Sequence, residues 1–221
     1  MLEVKDIKKS YGKKQVLRGA SFTAKEGSVV GILGKNGCGK STLLSILAGV
    51  IKADSGELYY NNEDLLKNSR SLNHLCGFVV QGTPLIEELS AYDNLLLWYS
   101  KKELEDSLQS GLVKLLGVDG FLKTKVSKMS GGMKKRLSIA CALSKDPDII
   151  IMDEPTAALD LPCRAEILSF ILECKQQNKT VLIATHTVDE IEICDELCVL
   201  RDGTLSNVEY NGDIGTLVNA F

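Results

Sequence analysis

Eight consecutive residues, Gly34-Lys35-Asn36-Gly37-Cys38-Gly39-Lys40-Ser41, fit the pattern G-x-x-x-x-G-K-S/T at every fixed position. Each residue type at that spacing has a physical task. The glycines let the backbone fold into a concave nest whose N–H groups point at phosphate oxygens. A helix beginning at Lys40 adds the positive end of its dipole. The Lys40 amine is a mobile cation for the β and γ phosphates, and the Ser41 hydroxyl is a magnesium ligand. Gly34 through Ser41, with Thr42 beside them, are therefore the candidate nucleotide-binding residues. Cys38 occupies a variable position and reads as a tolerated small residue. Placed at a helix N-terminus it is also a candidate oxidant sensor, testable by Cys38→Ala.

A second constellation closes the run Ile149-Ile150-Ile151-Met152-Asp153-Glu154, an apolar strand ending in two carboxylates. Side chains alternate along a strand, so the two acids are expected on opposite faces with different tasks. Asp153 is expected to orient a magnesium shell, and Glu154 to act on the attacking water as general base.

These groups need a scaffold, and the patterning predicts one. Residues 2–10 and 16–24 are β-rich and flank Tyr11-Gly12-Lys13-Lys14, a hairpin turn. Val29–Leu33 reads as a buried strand ahead of the phosphate loop, and residues 40–48 as the helix after it. Further strands are expected at 56–60, 77–80, 149–152 and 180–185, with helices at 131–144 and 164–177. A late hairpin is expected over 197–209 and a short helix at the C-terminus. Residues 84–128 carry Leu, Glu, Lys and Ser at helical spacing and read as an inserted helical lobe, with helices over 90–99 and 102–116. The fold class expected is α/β: a phosphate-loop NTPase core with a mainly parallel, wound sheet, an N-terminal antiparallel β region and the inserted lobe. The whole chain, 1–221, reads as one domain, with 1–83 and 129–221 as core and about 84–128 as the lobe.

The totals narrow the partners. The 221 residues carry a net charge of −3, which supplies no basic surface for nucleic acid, and none is expected as a partner. Seven scattered cysteines, with no secretory pattern near Met1, read as reduced thiols. Cys194 and Cys198, spaced i,i+4, can share one face of a helix, but the two histidines, His74 and His186, give them no zinc-site company. No stretch reaches the roughly 18–20 apolar residues of a membrane span, so any membrane-spanning part is expected in another chain.

With Met129-Ser130-Gly131-Gly132-Met133 the chain resembles the nucleotide-binding domain of ABC transporters over nearly all of its length. That segment resembles the family signature L-S-G-G-Q and falls between the lobe and the acidic strand, as in the family. The resemblance implies roles for residues that patterning alone does not assign. Tyr11 matches the aromatic residue that stacks on adenine. Gln81 matches the glutamine that touches magnesium and water and senses the partner. Ala158-Leu159-Asp160 matches the loop crossing the dimer interface, and His186 the switch histidine that reaches the γ-phosphate. Ser130, Gly131 and Gly132 match the residues that complete the ATP site of a partner subunit. Met133 departs from the family by removing an amide, and the basic run Lys134-Lys135-Arg136 is expected to form a solvated helical face.

The family implies an ATPase that binds ATP and Mg2+ and pairs head to tail with a second nucleotide-binding subunit, identical or not. It implies work on a separate membrane permease, at the cytoplasmic face of the cell membrane. Two other readings stay open. A soluble ABC ATPase without transport would share every motif named. A regulatory module that binds ATP without hydrolysing it is favoured by Met133 and opposed by Glu154 and His186. A GTPase needs an Asn-Lys-x-Asp element, and Asn178-Lys179-Thr180-Val181 lacks the acid.

Overall fold

The computed structural model describes residues 1–210, Gly212 and Leu217. In chain order, β1 (Leu2–Tyr11) and β2 (Lys14–Ala24) form the N-terminal hairpin. Then follow β3 (Val29–Leu33), α1 (Lys40–Leu47), β4 (Ser55–Tyr60), β5 (Glu63–Asp64), α2 (Ser69–Leu75) and β6 (Cys76–Val79). The lobe holds α3 (Ala91–Leu95), α4 (Lys101–Ser110), α5 (Leu112–Leu115) and two 3-10 turns, Val118–Phe121 and Val126–Lys128. The core resumes with α6 (Gly131–Ala142), β7 (Ile149–Asp153), α7 (Leu161–Gln176), β8 (Thr180–Ala184), α8 (Val188–Glu192), β9 (Glu196–Arg201) and β10 (Thr204–Val208). The C-terminal helix expected from sequence lies outside the described residues.

Two sheets result. One is antiparallel, in the order β2-β1-β4-β5, and the other runs β10-β9-β3-β8-β7-β6. In the second, only β10 pairs antiparallel. Strands β3, β7 and β8 are buried at every residue, as befits parallel strands covered on both faces. Their alternation divides the core. Val30, Ile32, Ile149, Ile151, Leu182 and Ala184 face α1 and the antiparallel sheet. Val29, Ile150, Met152, Val181 and Ile183 face α6, α7 and the lobe.

The lobe shares this second core. Leu95, Tyr99, Leu104, Val113 and Val118 pack in one cluster with Ile150 and Phe170. The buried Tyr99 hydroxyl donates to the Ala140 carbonyl of α6 at 3.0 Å, and burial pushes the phenol up to about 12. The helix expected over 102–116 is two helices. The backbone turns extended at Gly111, and the Ser107 hydroxyl accepts from Val113 N at 3.0 Å. The helix expected from 164 starts at Leu161, because Asp160 caps it through Cys163 N and Pro162 suits its first turn. The expected pairing of Cys194 with Cys198 on one helix face is also corrected. α8 ends at Glu192, Cys198 lies on β9, and its thiol donates to Asn207 Oδ1.

The antiparallel sheet turns on one glycine. β1 bulges near Asp6, which has a positive φ. Gly56 on β4, at φ +113°, lies so close that a Cβ would stand 2.7 Å from Asp6 O and from Ile7 Cα. Gly56→Ala meets both strain and backbone. It is expected to lower the unfolding free energy by about 1–3 kcal/mol in a denaturant titration.

Candidate active site

The loop that leaves β3 forms a cradle because three of its residues are glycines in the left-handed half of φ. Gly34, Gly37 and Gly39 stand at φ +152°, +76° and +114°. At Gly39 a Cβ would lie 2.8 Å from Val16 Cγ1, so the loop can approach β2 only without a side chain there. α1 then starts at Lys40 with no side-chain cap on its free N–H groups, which leaves them for an anion. Lys40 is 6% exposed, and its Nζ donates to the carbonyls of Gly34 at 2.7 Å and Lys35 at 3.3 Å. The amine is thereby held across the loop rather than extended into solvent. Cys38 is half-buried, and its sulfur packs beside Gly34.

One pocket of about 530 Å³ gathers most of the candidates named from sequence. Tyr11, Asn36, Gly37, Gly39, Lys40, Ser41 and Thr42 line it together with Gln81, Glu154 and His186. The last three of these are in contact. Gln81 Nε2 donates to Glu154 Oε2 at 2.8 Å, and His186 Nδ1 lies 3.2 Å from Glu154 Oε1. Tyr11 is 49% exposed at the end of β1, and the Lys9 amine lies 5.7 Å from its ring centroid.

The two acids part company for a sharper reason than strand alternation. Asp153 is the last residue of β7 and is 6% exposed. At Glu154 the backbone leaves the strand at φ +48°, while its N–H still donates to Ala184 O at 2.9 Å. The turn swings the Glu154 carboxylate into the pocket beside β8 and His186.

Ser130, Gly131 and Gly132 lie elsewhere, at the start of α6, where the Ser130 hydroxyl accepts from Met133 N at 3.2 Å. Gly132 has no room for a side chain. A Cβ there would stand 2.7 Å from the Cys163 sulfur, so the signature turn abuts the first turn of α7. Met133 packs on the apolar core, a place its thioether fills better than a glutamine amide.

The expectation of a solvated face at Lys134-Lys135-Arg136 is overturned. Lys135 is 4% exposed, and Arg136 bonds Leu116 O and stacks on Phe121. α6 lies between lobe and core, so both sides of the helix are covered. Sequence reasoning also missed two residues lining the pocket, Lys14 and Val16. Both point the same way from β2, so the period-two pattern after the hairpin turn carried that signal.

Residues 17–157 match the ABC transporter family. The chain belongs to that family. The linearmycin resistance ATP-binding protein LnrL of Bacillus subtilis (strain 168) is 33% identical, over 97% of this chain and 70% of its own length. The Nod factor export ATP-binding protein I of Burkholderia orbicola is 34% identical, over 91% and 68%. Among solved structures, a nucleotide-free ATP-binding cassette from an ABC transporter superposes with a TM-score of 0.87 and 27% identity, over 99% of this chain and 95% of that one. A dimeric post-hydrolysis cassette bound to ADP and Pi gives 0.83 and 29%, over 96% and 100%. The chain is an ABC ATPase. No helix among the described residues is long and apolar enough to cross a membrane.

Proposed function

We propose that this ABC ATPase is the ATP-driven motor of an exporter, pairing head to tail with a second cassette and acting on a separate membrane permease. The observation that carries the reading is the Gln81–Glu154–His186 contact, which faces the phosphate loop across one pocket.

In this reading Tyr11 stacks on the adenine, with Val16 and Lys14 beside it. The loop N–H groups and Lys40 take the phosphates. The glycine cradle, the uncapped α1 start and the hydroxyl and carboxylate oxygens of Ser41 and Asp153 fit a magnesium nucleotide. Ser41, Gln81 and Asp153 are the residues that would hold Mg2+, which supplies charge neutralisation at the β and γ phosphates. Glu154 takes the proton of the attacking water, and His186 orders the γ-phosphate. Gln81 engages one Glu154 oxygen and His186 the other. Each oxygen keeps a further lone pair, so Glu154 can accept the proton of water while Gln81 and His186 hold its carboxylate in place.

Ser130, Gly131 and Gly132 present an α6 N-terminus that would meet the γ-phosphate held by the partner cassette. Leu161, 75% exposed beside Asp160, fits the same interface. The permease is expected at a groove next to Gln81, lined by Val50, Phe78, Val80, Pro84, Leu85 and Trp98. Val50 is 67% and Trp98 58% exposed, an apolar edge that favours a partner over water. Such a docking places the chain at the cytoplasmic face of the membrane. The export names of the relatives support the direction of transport. Sedimentation of the Glu154→Gln chain tests the pairing. With MgATP it is expected to associate, alone or with a second cassette from the same host, and with MgADP to separate. Failure to associate with either at saturating ATP would remove the head-to-tail reading.

A further inference from the structure

Behind the pocket lies a buried charged layer to which no role has yet been given. Lys135 on α6 is 4% exposed, and its Nζ donates to the Val80 carbonyl at 3.2 Å, one residue before Gln81. Burial lowers its pKa, and the carboxylates of Glu190, Asp153 and Glu154 oppose that fall, Glu190 most strongly. A cation so enclosed is tolerated only where carboxylates answer its charge.

Glu190 on α8 is 1% exposed. Its Oε1 accepts from Thr156 N at 2.9 Å and from the Thr156 hydroxyl at 2.6 Å. Its Oε2 is buried with no hydrogen-bond partner among the described residues. Thr156 follows Glu154 by two residues, and Glu190 follows His186 by four. Glu190 therefore ties the segment carrying Glu154 to the segment carrying His186. Lys135 ties the signature helix to the segment carrying Gln81. All three members of the contact that faces ATP are backed by this layer.

We propose that Lys135 and Glu190, two buried charges with no direct bond between them among the described residues, act as a positioning pair, Lys135 by tying the signature helix to the Gln81 segment and Glu190 by tying the Glu154 segment to that of His186. The proposal rests on the reading of Glu154 as general base. Lys135 does not line the nucleotide pocket, so it acts on the reaction through Val80 and the carboxylates. A pair that merely glued α6 to the core would affect how many molecules fold, and not how fast a folded, ATP-loaded molecule turns over.

The test uses the full chain and four variants: Lys135→Met, Lys135→Arg, Glu190→Gln and the double Lys135→Met/Glu190→Gln. ATP-binding sites are counted by titration with a fluorescent ATP analogue, and hydrolysis is followed in a single turnover per counted site. Lys135→Met is expected to slow that turnover by about ten- to hundredfold, the effect of a sub-ångström to ångström misplacement. Affinity is expected to stay within about twofold, since ground-state binding is not touched. Lys135→Arg should recover most of the rate. The double variant should be no slower than Lys135→Met, because both residues act through the same Gln81–Glu154–His186 contact. A wild-type turnover per counted site in Lys135→Met would overturn the proposal, including the case in which fewer molecules bind at all. Glu154→Gln is measured beside them. If it hydrolyses at the wild-type rate, the general-base reading fails. If it is inactive while Lys135→Met runs at full rate, only the positioning pair fails.

Discussion

Lys40→Met should bind ATP about a hundredfold more weakly than the natural chain, because the net loss of one or two charge-assisted bonds, about 3 kcal/mol in all, is worth about two powers of ten in affinity. Methionine keeps the unbranched apolar stem, so the buried channel beneath the loop stays filled. What disappears is the ammonium, held 2.7 Å from the Gly34 carbonyl and 3.3 Å from that of Lys35. That placement bridges the loop and aims the cation at its concave side. The loss therefore has two parts, the direct phosphate contact and the tie that keeps the loop closed. Titration with a fluorescent ATP analogue reads the sum. A melting temperature close to the natural value would confine the effect to the site. Affinity within about twofold of the natural chain would mean that the phosphates bind elsewhere.

Glu154→Gln should lower the hydrolysis rate by about a thousandfold, within the range that a positioned general base contributes. The substitution is isosteric and leaves an amide that can still meet Gln81 and His186. Nucleotide affinity is expected to hold, so the loss belongs to kcat. The reason lies in the backbone. At φ +48° the residue leaves β7 and delivers its carboxylate to the pocket, whereas Asp153, one residue earlier, stays in the buried strand end. A steady-state ATPase assay that found the natural rate would move the base to another residue.

The glycine loop and the acidic strand end were legible because each is a short local pattern whose chemistry allows few other uses. The buried parallel strands were legible for a similar reason. Five apolar residues in a row, bounded by polar turns, leave little choice. α2 was not legible, since this seven-residue helix buries only Leu72 and has no apolar period. Its cap, Asn68, announces itself only once Ser71 N is seen to reach it. The break at Gly111 was hidden by continuous helical spacing on either side. Lys135 was misread for a deeper reason. A lysine beside another lysine and an arginine suggests a wet surface, and only the tertiary closure of lobe on core makes that face an interior. Glu190 has the same character. Its role depends on Thr156, which is distant in sequence and brought near by β7 and β8.

The family's signature departs at Met133, and the packing gives a physical account. The side chain joins the apolar cluster of the lobe, while Ser130 still caps the helix and leaves the turn at Gly131 and Gly132 intact. In the proposed head-to-tail pairing the N-terminus of α6 would meet a partner's phosphate without the missing amide.

Whether this ATPase drives a membrane protein is read most directly from what copurifies with it. A tagged Glu154→Gln chain, expressed in its native host and extracted from membranes in mild detergent, is the measurement to make, once with ATP and once with ADP. The account predicts that a multi-span membrane protein copurifies and is retained more fully with ATP. Recovery of soluble partners alone, with nothing from the membrane fraction in either nucleotide, would contradict it and move this chain to the ABC ATPases that do not transport.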